Sequence, residues 1–473
     1  MKKFVVLFVV AAFTFFGSMA YAIDVSVSGS IDIRSRDFND LNLNKDSDNN
    51  AGGTGQHDTQ ERIRVNVDAK AGNDVKGRIS IENDWDTWGR DEIPQGNGQS
   101  TTTLAGIPGL TRDTVISNFS VRPDIREAWI SFNLPFAPVN ITGGHQLLQL
   151  GNAWFYRSMK YGSDAWVVAN VTGNNTVAFV DVKAFEAENS NIGVNVTRSL
   201  DIDAYVILDV FKVSDALTVG FDITLLHDRL GLLGGWAPMA LAPQALGGTA
   251  MGSDLFNYSI NANGKLGPVA LKLQADWQTG DVDTTSGPQP KFEGKEIVLE
   301  GKVPMDPITI EFTAAAGSGN QKGNDNIKRY VNLLDADPHY TFLYEYKIKT
   351  AAVPSASAVP GSGAQSQSTG FSNTEALSIG AMWAISPAVQ VGLDYWYLHA
   401  TDAVSLNGAP ESREIGNEVD VKFNWKLYDN LTWNWVAGYF APGKAYDYGT
   451  GGTTTTHSAD TATGIQGVLS FKF

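Results

Sequence analysis

The chain has no cysteine. Disulfides, thiolate metal sites and cysteine nucleophiles are therefore excluded. Such a chain must hold together by hydrogen bonding and packing. Histidine is also scarce: the six are His57, His145, His227, His339, His399 and His457. None lies in a G-x-S-x-G or H-E-x-x-H setting, and no enzymatic activity is expected. Most lie in or beside predicted loops, and His145 follows Gly143-Gly144, where a bulge leaves its facing open. Positive charge is in deficit. The formal net charge is -16, which argues against nucleic acid as a partner. Beyond the first residues, no stretch approaches the ~20 apolar residues that a spanning helix needs. Asp46-Ser47-Asp48-Asn49-Asn50 begins like a calcium loop. However, Ala51 stands where glycine is needed, and His57 where a bidentate glutamate would close the site. No metal or other cofactor is expected.

What is present is an address and an alternation. Lys2 and Lys3 precede the apolar stretch Phe4–Met19, and Ala20-Tyr21-Ala22 supplies an A-x-A cleavage site. This is the pattern of a secretory signal peptide over residues 1–22, which leaves a mature chain of 23–473 that starts at Ile23. From there Ile23, Val25, Val27, Gly29, Ile31 and Ile33 fall on one face of an extended strand. Asp24, Ser26, Ser28, Ser30, Asp32, Arg34 and Arg36 fall on the other. The same period returns in 62–71, 76–85, 127–134, 139–150, 164–171, 177–185, 201–211, 217–225 and 256–265. It continues in 269–278, 296–303, 308–316, 377–385, 389–398, 418–427, 431–440 and 464–473. That makes about 18 strands, an even number within the range of bacterial barrels. The connectors alternate short and long. The short ones are built of turn residues, such as Gly72-Asn73-Asp74, Gly173-Asn174-Asn175 and Gly267-Pro268.

These features imply an all-β fold: a transmembrane antiparallel up-and-down barrel in the outer membrane, with short periplasmic turns and long extracellular loops. The apolar fraction of 43% fits a wall in which every second residue faces water. Trp85, Phe132, Tyr258, Trp277, Trp383, Tyr395, Trp425, Trp433, Trp435, Tyr439 and Phe471 take predicted outward positions, as an aromatic girdle requires. The last strand is apolar on one face and ends in Phe473, which resembles the signal read by barrel-assembly machinery. Outer-membrane lipid, that machinery and small hydrophilic solutes are the expected partners.

Short segments resemble a known family. Gly144-His145-Gln146 through Gly151, and then Tyr161-Gly162-Ser163-Asp164-Ala165, resemble a G-R-Q strand and a G-x-D-A strand of the alginate-export outer-membrane barrels. Ile415–Lys426 and Gly438–Gly443 resemble that family's closing strands. The resemblance implies an 18-stranded export or uptake channel. His145 stands where the family has arginine, which weakens the transfer of its preference for anionic polysaccharide.

The predicted inner face carries the chemistry. Arg34, Arg36, Arg62, Arg64, Asp68, Arg78, Glu82 and Asp84 are expected to line the pore. Counting from the Gly72–Asp74 turn sets Arg64 against Glu82, Arg62 against Asp84 and Asp68 against Arg78. Such pairs form a structural ladder, a basic wall for anionic solutes, or both. Elsewhere the same parity places Asp164, Asp181, Asp201, Asp203, Asp209, Asp222, Asp276, Glu296, Glu300, Glu311, Asp394, Glu418 and Asp420 inward. They outnumber the inward Lys183, Lys265, Lys272, Lys302, Lys422 and Lys426, so the lumen is expected to have a basic sector and an acidic remainder.

Two loops stand out. Leu226–Asp254 is too apolar for a free loop and is expected either to fold into the lumen or to pack on the rim. The loop from Gly317 carries Tyr340–Tyr346, expected as a strand above the membrane or a stacking surface for sugars. It ends in Thr350–Gly370, whose composition is that of a disordered segment. The function expected is a channel through which small hydrophilic solutes, anionic or saccharide, diffuse. A sleeve around a partner protein and an enzyme at the rim are the alternatives.

Overall fold

Eighteen antiparallel strands close into one barrel in the computed structural model of the protein. Residues 23–41, 43, 55–72, 74–88, 124–185, 201–229, 250–284, 289–319, 326–334, 340–349, 370–404, 410–449 and 456–473 are described. The expected signal peptide, the calcium-like run Asp46–Asn50, most of the apolar loop after Leu226 and the Ala/Ser/Pro/Gly-rich run that ends at Gly370 lie outside them, Gly370 itself apart. The strands are β1 (Ile23–Asn39), β2 (Gln56–Ala71), β3 (Val75–Thr87), β4 (Asp124–Asn133), β5 (Val139–Gln146) and β6 (Ser163–Thr172). They continue as β7 (Asn175–Phe185), β8 (Ile202–Ser214), β9 (Leu217–Asp228), β10 (Ala250–Leu266), β11 (Val269–Thr284) and β12 (Lys295–Met305). The last six are β13 (Ile308–Gly317), β14 (Glu375–Ser386), β15 (Val389–Val404), β16 (Ser412–Tyr428), β17 (Leu431–Pro442) and β18 (Ala462–Lys472). Every predicted strand is present, and most run further toward the long-loop end than the alternation alone indicates.

Each strand pairs with its neighbours in sequence, and β1 closes the ring against β18 with Ile31 opposite Phe471 and Ile33 opposite Leu469. Closure leaves no unpaired strand edge, which is the condition for backbone surrounded by lipid. The alternation decides facing. Ile23, Val25, Val27 and Ile31 are exposed on the outside of β1, whereas Asp32 and Arg34 are buried inside. Trp277 stacks on Tyr258 across β10 and β11, with ring centroids 5.3 Å apart. At the chain end, the Phe473 and Gly29 backbones exchange hydrogen bonds of 2.9 and 3.1 Å. The Phe473 ring covers Gly29 so closely that a Cβ there would lie 2.6 Å from it. An outward glycine is thus shielded by an aromatic neighbour on the adjoining strand.

The interior is not a plain water-filled tube. The loop between β5 and β6 (147–162) and the described parts of the loop between β13 and β14 (318–374) fold into the barrel. They make two apolar clusters with the inner wall. In one, Leu343, Ile348 and Phe371 from the loop meet Phe38, Trp396 and Phe440 from the strands. In the other, Phe155, Tyr330 and Val331 meet Val180, Val182, Ala204, Val206, Leu226 and Leu255. A two-residue parallel ladder, Tyr156–Arg157 with Leu333–Leu334, ties the two loops together. The aromatic run Tyr340–Tyr346 is therefore neither a strand above the membrane nor an open stacking surface. Tyr344–Ile348 forms one π-helical turn, with Tyr344 and Ile348 buried inside the barrel.

This infolding inverts the facing expected for part of the wall. Asp164 pairs with Lys183, Trp166 with Asp181, Lys183 with Asp203, and Val177 with Asp209. That face also carries the exposed Trp166, Val177, Phe179 and Ile207, so it is the outer one. Asp164, Asp181, Lys183, Asp203 and Asp209 therefore point outward, not into the lumen. Asp201 precedes β8, where strand parity has no meaning. The physical reason is that a polar-in, apolar-out rule assumes water inside. Here Val180, Val182 and Val206 face in because a loop covers them.

Candidate functional site

The inner face of β1 to β4 gathers the predicted charged residues. Arg64 opposes Glu82 and bonds to it. Arg78 opposes Asp68 and donates two hydrogen bonds to it, of 2.7 and 3.1 Å. The third predicted pair does not form. Between Glu61 and Ile63 the register shifts, so that Asp84 and Trp85 together stand opposite Arg62. Two residues facing one is a β-bulge, which re-aims side chains. Arg62 pairs instead with Asp32 on β1 at 3.2 Å, and Asp84 pairs with Lys160 of the β5–β6 loop at 3.5 Å.

The bulge also overturns the outward placing of Trp85. Its ring lies inside the barrel between two guanidinium groups, with Arg34 3.8 Å and Arg62 4.3 Å from the ring centroid. Arg34 also donates to Gln60, and Arg36 holds Asp58 by two bonds of 2.5 and 2.9 Å.

A second bulge adds a residue that parity does not reveal. Ser80 opposes Glu127 and Ile81 opposes Ile125, which leaves Arg126 unopposed beside Glu127. Arg126 turns inward to Glu82 (3.4 Å), Glu127 (3.5 Å) and the carbonyl of Met159 (2.6 Å). The infolded loops bring Arg157, Lys160, Tyr346 and Lys347 to the same wall. Arg34 and Arg36 both donate to the Tyr346 hydroxyl, at 3.4 and 3.5 Å. Lys347 Nζ donates to Gln56 Oε1 at 3.1 Å and sits 4.3 Å from the Tyr346 ring centroid. Burial, and then the neighbouring Arg36 and Arg34, pull the Lys347 ammonium down to about 7. No sequence signal marks these loop residues, because nothing local says that the loop turns inward.

The adjoining wall, separated from β1 by two strands, supplies the clamp. Glu418 on β16 accepts the backbone N–H of Leu343 at 2.5 Å with one oxygen and that of Tyr344 at 2.7 Å with the other. Asp420 accepts the N–H of Phe342 at 3.4 Å. Lys349 donates to the Gly370 and Ser372 carbonyls and the Thr374 hydroxyl at 2.7, 3.1 and 3.0 Å. Glu345 accepts the Gly370 N–H at 3.0 Å. The Leu343, Tyr344 and Gly370 N–H groups and the Lys349 ammonium thus all find acceptors, as low-dielectric surroundings require.

Between the basic wall and the clamp lies a cavity of about 590 Å³, bounded by Arg34, Arg62, Trp85, Arg157, Tyr346, Asp420, Lys422, Asn424 and Gln466, among others. It offers cations, ring faces and amides, with one carboxylate at its far side. His145 is not part of it. Its ring nitrogens lie 2.9 Å from Asp164 and 2.8 Å from the Tyr161 carbonyl, in register with the outward Asp164.

No protein-family model matches the chain, and no curated protein matches it in sequence. Solved barrels resemble it in shape. OccK9 (OpdG) of Pseudomonas aeruginosa is 11% identical with a TM-score of 0.54, over 95% of this chain and 98% of that one. OpdK of the same organism, solved with vanillate, is 8% identical at a TM-score of 0.52, over 95% and 98%. OpdQ of Pseudomonas aeruginosa is 10% identical at 0.52, over 94% and 98%. At such identities the likeness is one of fold: a large closed barrel of the kind these outer-membrane proteins share.

Proposed function

We propose that the chain is an outer-membrane porin, a barrel through which small hydrophilic solutes diffuse, with anions favoured over cations of similar size. The observation that carries this reading is the interior cavity of about 590 Å³ with Arg34, Arg62 and Arg157 on its surface. Among the described residues around it, the arginines of the wall and loops outnumber the carboxylates paired with them. A narrow passage between low-dielectric walls focuses such a field. The exposed apolar girdle outside is suited to lipid.

Two alternatives fit less well. A sleeve around a partner protein needs a free lumen, and here the chain's own loops fill much of the section. A rim hydrolase needs a nucleophile and a base together. His145, His227 and His399 instead each hold a carboxylate, Asp164, Asp254 and Glu375.

The solute class follows from the lining. Guanidinium groups flanking an indole suit a ring that bears a carboxylate. OpdK, a barrel of similar fold, was solved with such a molecule. Cleavage after Ala22 and insertion by assembly machinery through the Phe473 strand complete the reading. Proteoliposome swelling tests it. Isosmotic glucuronate and glucose should swell liposomes that contain the barrel, glucuronate the faster, and long oligosaccharides should not. Swelling rates no greater than those of empty liposomes would remove the proposal.

A further inference from the structure

Among the described residues, four cations line the cavity: Arg34, Arg62, Arg157 and Lys422. Three of them are engaged by protein groups. Arg34 gives one terminal nitrogen to Gln60 and the other to the Tyr346 hydroxyl. Arg62 gives Nε and Nη2 to Asp32, at 3.3 and 3.2 Å. Lys422 is paired with Asp394. Arg157 differs from all three. Among the described residues its side chain makes no hydrogen bond and no ion pair, and its Nε is buried without an acceptor. Asp420 borders the same cavity but is not paired with it.

The backbone that carries Arg157 is fixed from two sides. Tyr156 and Arg157 form the parallel ladder with Leu333 and Leu334, and Arg157 also bridges to Gln149 within its own loop. The Leu333 N–H donates to the Phe155 carbonyl at 2.7 Å, and the Ser158 N–H to the Leu148 carbonyl at 2.8 Å. Phe155 and Tyr156 are packed in the apolar cluster, whereas Arg157 is half-buried and faces the cavity. A held backbone thus presents a guanidinium whose donors are unused.

We propose that Arg157 binds the carboxylate of the permeating solute and is the residue that sets the channel's preference for carboxylates over neutral molecules. The proposal rests on the reading of the barrel as a porin. A guanidinium stays charged under all ordinary conditions, and its planar fork meets a carboxylate through two parallel hydrogen bonds. At Arg62 an incoming carboxylate would have to displace Asp32. At Arg157 it displaces only water. The arginines of the wall then supply the long-range field that draws anions in, and Arg157 supplies the contact. Removing its side chain leaves no protein group without a partner, so the loop and the barrel should keep their structure.

The test is the block of small-ion current by glucuronate, with glucose as its neutral counterpart, in planar bilayers that hold wild type, Arg157→Gln or Arg157→Lys. Lys183→Gln, on the outer face, is the control. Glucuronate should block wild type at lower concentration than glucose. Arg157→Gln should raise the half-blocking concentration of glucuronate about tenfold, as loss of a charge-assisted pair requires, and leave that of glucose unchanged. Arg157→Lys keeps the charge without the fork and should fall between. Lys183→Gln should match wild type. A conducting Arg157→Gln barrel that glucuronate blocks as it blocks wild type overturns the proposal and leaves the porin reading intact. So does one in which glucuronate and glucose lose equally, which would mark a displaced loop. If Arg157→Gln does not assemble, Arg157→Lys decides, and undiminished block of that variant overturns the proposal. Absence of conductance in wild type overturns both readings.

Discussion

Glu418→Ala probes how the loop is kept inside the barrel. In the wild type both carboxylate oxygens accept backbone N–H groups of the loop, from Leu343 and Tyr344. Alanine leaves two buried donors without partners, at a cost of about 1–3 kcal/mol each. Packing opposes release. Leu343 and Ile348 are fully buried, and each contributes about 1.5–3 kcal/mol. The Lys349 and Glu345 bonds add about 0.5–1.5 kcal/mol apiece. The segment should therefore stay docked for most of the time, while its released fraction rises by at least tenfold, as a loss of about 1.4 kcal/mol or more requires. Two measurements read this. Single-channel recordings should show bursts of larger conductance that are rare in wild type. Trypsin should cut after Lys347 or Lys349 faster in the variant. Glu418→Gln, which keeps one acceptor oxygen, should lie between. A Glu418→Ala barrel that matches wild type in current noise and in cleavage would refute the clamp.

Three further outcomes are expected. Replacing Arg62 and Arg64 by glutamate should lower the stability of the barrel, because the buried Asp32 and Glu82 lose their cations, and should move the selectivity of the folded fraction toward cations, most at low salt; unchanged reversal potentials would place these residues off the conducting path. Phe473→Asp should lower the amount of heat-modifiable barrel in the membrane, because it removes the ring over Gly29 and sets a charge facing lipid; normal levels on unboiled gels would contradict this. N-terminal sequencing of the mature protein should begin at Ile23, the first residue of β1, and any other start would refute cleavage after Ala22.

The wall was legible in the sequence and the lumen was not. Period-two alternation and turn chemistry are local properties, so strands from β1 to β18 and turns such as the one at Gly72 could be counted from the chain alone. The register at Arg64–Glu82 and Asp68–Arg78 followed from that turn. Counting failed wherever one strand gained a residue on its partner. The bulges at Asp84-Trp85 and at Arg126 turned an indole and a guanidinium inward. It failed again where water was replaced by protein. Val180, Val182 and Val206 face inward because the loops cover them, and their neighbours Asp181, Lys183 and Asp203 were displaced to the outside. One trace of this was visible: β7 and β8 carry apolar residues on both faces along Val177–Val180 and Val206–Leu208, which a wall facing water has no reason to do. Which loop would cover them depends on contacts far apart in sequence, such as Gln278 with Val331, and no local pattern encodes those.

The central claim is a conducting barrel whose narrow section favours anions, and planar-bilayer recording of the purified wild-type protein tests it most directly. In a salt gradient the account predicts steady channels whose reversal potential has the sign of anion preference, with the preference shrinking as ionic strength rises and screens the arginine wall. A silent membrane, or a preference for cations at low salt, would contradict it.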